Sequence, residues 1–185
     1  MAPPVWYVDH GQPHADLMTL IGLYRAETPG VLSADNCSVK LDLDNMPQPD
    51  GCLFLSPDFG GQARIDENRY ILGAPELIGE IASSSVSMDL HEKLTIYRRN
   101  GVREYVVWRT TERAIDYFVL RDSQYELLPL DATGSYRSDV FPGFWLAPQQ
   151  LLAGDLAGAV KVLQQGLTSP EHAAFTERLK ASRRA

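Results

Sequence analysis

The sequence predicts an α/β (α+β) fold in which one mixed β-sheet is flanked by helices. Three observations predict it. Helical periodicity at 14–26 and at about 88–100 brackets a group of short strand-like runs. More strand-like runs follow the second helix, and residues 147–184 read as helical again. The resulting order is α-β-β-β-α-β-β-β-α, with a C-terminal helical extension.

The first helix rests on Leu17, Leu20, Ile21 and Tyr24, which fall at i, i+3, i+4 and i+7, and Thr28-Pro29-Gly30 stops it. Residues 37–43 alternate polar Ser38, Lys40 and Asp42 with apolar Val39, Leu41 and Leu43, the pattern of a strand with one wet face. Gln48-Pro49-Asp50 opens an apolar strand from Cys52 to Leu55. Residues 56–70, rich in Gly, Pro and charge, read as a loop. Leu77 to Ala82 is a compact apolar run, and the helix that follows it is closed by Asn100-Gly101. Glu104 to Trp108 is rich in strand formers, and 114–120 with 124–130 make a hairpin through Arg121-Asp122-Ser123. Phe141-Pro142-Gly143-Phe144-Trp145 reads as an apolar turn plugging the sheet edge.

A chain of 185 residues suits one domain with a helical tail and buries roughly 70% of its unfolded surface, so it needs no disulfide staples. At 44% apolar and 22% charged residues it is neither disordered nor fibrous. A net charge of −7 argues against a uniformly basic nucleic-acid coat but leaves room for a local basic groove. Cys37 and Cys52 are too few for a disulfide framework or a four-thiolate metal site. No apolar run approaches the ~20 residues that span a bilayer, and the first residues do not read as a signal peptide. The expectation is a soluble, cytoplasmic protein.

Glu80 stands inside Leu77-Ile78-Gly79-Glu80-Ile81-Ala82, a run suited to burial on both faces. An ionised carboxylate there is costly unless a cation compensates it. A Glu at a strand end, or one paired with an Arg, is the plainer reading. Lys93 lies on the apolar stripe of its helix, three residues after Leu90 and four before Tyr97. Asp89 is one turn earlier and within pairing reach, which also allows a snorkelling lysine salt-bridged to it. Asp89 and Glu92 can equally form an acidic capping box. Asp50 follows a proline at a strand start, where a simple turn is common. Two carboxylates on neighbouring strands, with the Ile81 carbonyl as a third oxygen, can hold a hard divalent cation, Mg²⁺ or Mn²⁺. A nearby lysine can orient water or neutralise a phosphate, a set suited to metal-assisted phosphodiester hydrolysis.

These residues recur in order. Gln48-Pro49-Asp50, then Gly73-Ala74-Pro75-Glu76-Leu77-Ile78-Gly79-Glu80-Ile81, then Ser83-Ser84-Ser85, then Asp89-Leu90-X-X-Lys93-X-X-X-Tyr97, then Gly101-Val102-Arg103-Glu104-Tyr105 resemble the Uma-type family of restriction endonucleases, within the PD-(D/E)XK nuclease superfamily. The resemblance covers about residues 10–130. It implies a restriction-endonuclease-like core over 1–146, with 147–185 as a helical extension packed on the same domain. It also implies a magnesium-dependent DNA endonuclease and a homodimer. Asp50 would be the PD acid and Glu80 the first acid of the E-X-K element. Alanine stands at position 82, where the superfamily has lysine, and Lys93 from the following helix would take that place. Many relatives carry a longer first helix with an additional acid; only His10-Gly11 and the 14–26 helix correspond to it here, so the resemblance assigns no residue to that acid.

The remaining candidates carry less. Asp89 and Glu76 would support the site, or Glu76 is a solvated strand start. Arg98, Arg99 and Arg103, and Arg64 and Arg69 in the loop, could meet DNA. His10, His14, His91 and His172 show no metal spacing and suit surface or capping roles, with Pro13 weakening a helical His10–His14 pair. Ser83-Ser84-Ser85 reads as a polar turn, with no nucleophile elbow around it. The alternative to an enzyme is an inactive relative, a binding or regulatory module in which the acid–lysine cluster is a structural salt-bridge network.

Overall fold

The computed structural model describes residues 6–82 and 86–182, and the side chains of 86–90 fall outside the description. A π-turn at Tyr7–Gly11 leads into α1, Gln12–Glu27. Pro13 occupies the first turn of α1, where its missing N–H costs nothing. Six strands form the central sheet: β1 (Val31–Asp35), β3 (Gly51–Leu55), β6 (Leu77–Ala82), β7 (Glu104–Arg109), β8 (Ala114–Arg121) and β9 (Gln124–Leu127), in that spatial order. All neighbours are antiparallel except β6 and β7. A parallel pair needs a crossover, and α2, Val86–Arg99, supplies it. The mixed sheet flanked by helices is as the sequence predicts.

Side chains of the sheet alternate between two cores. Leu77 and Ile81 join Leu17, Leu20, Ile21 and Tyr24 beneath α1. Ile78 packs with Cys52, Phe54, Tyr97, Tyr105 and Val107 on the α2 side. Glu80, next in the same alternation, therefore faces α2. Helix α1 sits close enough that the strands beneath it carry glycine. A Cβ on Gly79 would lie 2.8 Å from Leu17 Cδ2, and one on Gly51 would lie 2.7 Å from Met18 Sδ.

Several elements differ from the sequence reading. The strand expected at 37–43 shrinks to β2, Val39–Lys40, which pairs with β5 (Ile71–Leu72) in a small sheet that also holds β4 (Arg64–Ile65). The main-sheet strand is Val31–Asp35, whose burial does not alternate cleanly and left no period-2 signal. The loop 56–70 contains that β4 and a 3₁₀ turn at Pro57–Phe59. The hairpin turns on Asp122 and Ser123, both at positive φ, and its second strand ends at Leu127. The C-terminal stretch is three helices, α3 (Pro148–Leu152), α4 (Leu156–Leu167) and α5 (Pro170–Ser182). The Phe141–Trp145 turn packs into the core under α1 rather than plugging the sheet edge. Phe141 and Phe144 are fully buried, and Tyr24 meets both rings edge-on. Strands β10 (Tyr136–Arg137) and β11 (Trp145–Leu146) flank that turn.

Two buried carboxylates tie loops to the sheet. Glu104 accepts hydrogen bonds from the Tyr117 and Ser138 hydroxyls and from the Asp139 and Val140 N–H groups. Burial pushes its carboxyl above the ordinary range despite those donors. Glu76 accepts from the N–H groups of Leu55 and Gln62, fastening the chain that leaves β3.

The α4 helix abuts the Phe141–Trp145 turn backbone to backbone. A Cβ on Gly166 would stand 2.2 Å from the Gly143 carbonyl oxygen. Gly166→Ala therefore destabilises the fold by about 3 kcal/mol through forced overpacking, measurable as a shifted midpoint in urea with an unchanged slope.

Candidate active site

Strand pairing creates the site by stopping. The β3–β6 ladder covers Gly51↔Gly79 to Leu53↔Leu77. One step further, the Asp50 side chain replaces the strand: its Oδ2 accepts the Ile81 N–H at 2.7 Å. That bond fixes the carboxylate against the backbone of β6 beside Glu80. The two acids are 7% and 4% exposed.

Glu80 is held from α2. Its Oε2 accepts from Lys93 Nζ at 3.1 Å and its Oε1 accepts from the Tyr97 hydroxyl at 2.7 Å. Residues 93 and 97 are one turn apart, so both reach one carboxylate. Burial raises the Glu80 pKa, Lys93 and Tyr97 pull it back, and the nearby Asp50 charge adds to the rise. The Tyr97 hydroxyl is itself held well above the ordinary tyrosine range by burial and by the Glu80 charge. Lys93 keeps about a third of its side chain exposed, so its ammonium also faces the opening.

The opposite wall is built by two histidines. His10 Nε2 lies 3.3 Å from Asp50 Oδ1, the oxygen that the Ile81 N–H does not take. His14 Nε2 lies 3.0 Å from the Asp50 carbonyl oxygen and 3.1 Å from Asp35 Oδ1. Asn36 Nδ2 lies 3.4 Å from the same nitrogen. The two rings stack at 5.7 Å. The expected surface or capping roles of His10 and His14 are thus corrected. The i, i+4 spacing was the signal, and Pro13 does not spoil it because a helix tolerates proline in its first turn. His172, also read as a surface residue, is buried and lies 2.9 Å from the Thr28 hydroxyl.

The structure brings Asp50 against the Ile81 N–H and Lys93 against Glu80. Glu76 is fully buried, so the solvated strand start is overturned, and it serves the loop rather than Glu80. Asp89 and Ser83-Ser84-Ser85 lie outside the described residues and side chains. Helix α2 runs back along the sheet, so Arg98, Arg99 and Arg103 sit near the start of β6 and β7, the far end from Glu80, and Arg98 donates to the Ser123 carbonyl. Arg64 and Arg69 are exposed in and beside β4.

Two buried carboxylates lie side by side, Glu80 paired with Lys93 and Asp50 with His10 beside it, an oxygen-rich arrangement that suits a cation. Among the described residues no three His, Cys, Asp or Glu side chains form a ready-made metal cage. Magnesium does not need one: it is commonly held by one or two carboxylates, with water and phosphate completing its shell.

A sheet-built acid pair with a helix-borne lysine, on a mixed sheet flanked by helices, defines a nuclease-like α/β class. The crystal structure of a "putative nuclease belonging to DUF820" from Anabaena variabilis superposes with a TM-score of 0.61 at 13% identity, covering 83% of this chain and 86% of that one. The Uma2 family model, described as "Putative restriction endonuclease", matches residues 1–149, and the chain belongs to that family. No curated protein matches the sequence. Among the described residues no helix is long and apolar enough to cross a membrane.

Proposed function

We propose that the protein is a divalent-metal-dependent endonuclease that hydrolyses DNA phosphodiester bonds. The observation that carries this reading is the meeting of Asp50 and Glu80 where the β3–β6 ladder ends, with Lys93 closing on Glu80 at 3.1 Å. Asp50 Oδ1, a Glu80 oxygen and the Ile81 carbonyl would hold Mg²⁺ or Mn²⁺. Such an ion polarises the scissile phosphate and makes its water a stronger nucleophile. The chain's own groups do the rest. The Ile81 N–H keeps Asp50 aimed, the Tyr97 hydroxyl keeps Glu80 aimed, and Lys93 offers an ammonium to the phosphate or to the attacking water. A homodimer would present two such sites, one for each strand. Two unpaired cysteines, one buried and one exposed, agree with a reducing compartment such as the cytoplasm.

The satisfied Lys93–Glu80–Tyr97 cluster also favours a second reading, an inactive binding module. Supercoiled plasmid incubated with Mn²⁺ and wild type, Asp50→Asn or Glu80→Ala separates the two. The endonuclease reading expects nicking by wild type only. A wild type that is thermally stabilised by Mn²⁺ yet never nicks under any divalent metal establishes the module instead.

A further inference from the structure

A second concave site lies on the other face of the sheet. Between the π-turn, the first turns of α1, the end of β7 and α3 is a cleft of about 150 Å³. Val8, Pro13, Trp108 and Leu151 give it apolar walls, and Asp16 and Arg113 contribute charge. Asp16 is only 7% exposed. Its carboxylate takes part in no hydrogen bond or ion pair among the described residues. Burying an acid without partners is costly, and burial indeed raises its pKa. The other buried acids among the described residues have partners: Glu76, Glu80 and Glu104 each accept at least two hydrogen bonds, and Asp50 accepts from the Ile81 N–H with His10 beside its other oxygen. Asp16 lines an open cleft instead, where its carboxylate meets water and can exchange that water for a ligand's donor.

The volume limits that ligand. A protein cavity of about 150 Å³ holds one six-membered ring. The walls suit a flat apolar body, and the acid demands a donor on its edge. A carboxylate accepts from the amino group of cytosine, whereas uracil and thymine present a carbonyl oxygen at the same place. The π-turn joins this cleft to the acid pair. His10 of that turn lies against Asp50, while Val8 and Asp9 of the same turn line the cleft. Enzymes that handle single bases draw them into snug pockets, and on the nuclease reading an unstacked base is the ring at hand.

We propose that this cleft binds one unstacked pyrimidine ring bearing an exocyclic amino group, cytosine in nucleic acid, with Asp16 as its acceptor. Only the choice of a nucleic-acid base rests on the nuclease reading; the demand for a donor-bearing ring does not.

Cytidine, uridine and propylamine, each titrated into the full-length protein by calorimetry, test the assignment. Cytidine is expected to bind at least about tenfold tighter than uridine, in line with one base-edge contact. Asp16→Asn, whose amide can donate to a carbonyl, is expected to reverse the preference. Val8→Trp, at an exposed position on the rim, is expected to block both nucleosides, and it serves as the test if Asp16→Asn does not fold. Equal binding of the two nucleosides, tighter binding of propylamine, no binding at millimolar ligand, or an Asp16→Asn protein that still prefers cytidine overturns the proposal. Cleavage is not part of this readout. Discrimination without nicking would sink the nuclease reading and leave the cleft assignment standing, and nicking without discrimination would do the reverse.

Discussion

The Glu80→Gln protein loses metal-dependent nicking by about a thousandfold, the scale seen when a charge that stabilises the transition state is removed, and it loses no stability. The two halves of this expectation have one cause. Glutamine keeps the shape, and its Oε1 still accepts from the Tyr97 hydroxyl. What disappears is the negative charge that a divalent cation requires. In the apo protein that charge is a burden, because burial and the Asp50 carboxylate both oppose it. Lys93 keeps about a third of its side chain exposed, so it tolerates a neutral neighbour at position 80. Nicking rates and melting temperatures measured on the same preparations check the pair. A variant that loses activity only in proportion to a fall in melting temperature would show that Glu80 serves the fold alone.

Glu104→Ala acts in the opposite way, destabilising the fold by about 4 kcal/mol because two hydroxyls and two backbone N–H groups lose one common acceptor. For a chain of this length that lowers the melting temperature by roughly 10 °C. The pH dependence has a definite sign. Burial raises the Glu104 pKa in the folded state above the ordinary glutamate value. The folded protein therefore binds that proton more tightly than the unfolded chain. The stabilising contribution is full below the unfolded pKa and is lost as pH rises through the folded value. Glu104→Gln removes this titration. The stability advantage of wild type over Glu104→Gln should thus shrink as pH climbs from about 4.5 towards neutrality, as denaturant titrations at several pH values would show. An advantage that grows with pH would refute the assignment.

The acid pair was legible because two ordinary expectations failed at Glu80 and Lys93. An acid sat within an apolar strand, and a lysine sat on an apolar stripe. Asp50 became legible through the motif order, since its own neighbourhood reads only as a turn. The histidine wall was not legible. A π-turn has no periodic signature, and the partners of His10 and His14 are a strand 36–40 residues away, beyond any local pattern. Asp16 was invisible for a similar reason. On a helical wheel it borders Leu17 and Leu20 like any flanking acid, and only the return of α3 and β7 over it closes the cleft. Strand β1 was missed because Val31-Leu32-Ser33-Ala34-Asp35 does not alternate apolar and polar residues, and its burial does not alternate either.

The Tyr24 hydroxyl donates to the carbonyl of Pro142, and the next turn of the chain, at Thr28, meets His172. Contacts spanning 118 and 144 residues close the core around α1. Such long loops close slowly. During synthesis, the end of α1 waits for α5 before the Thr28–His172 contact can form. A nascent chain stalled before residue 170 would carry every proposed metal ligand and the Tyr24–Pro142 bond, and would still lack that last tie on α1.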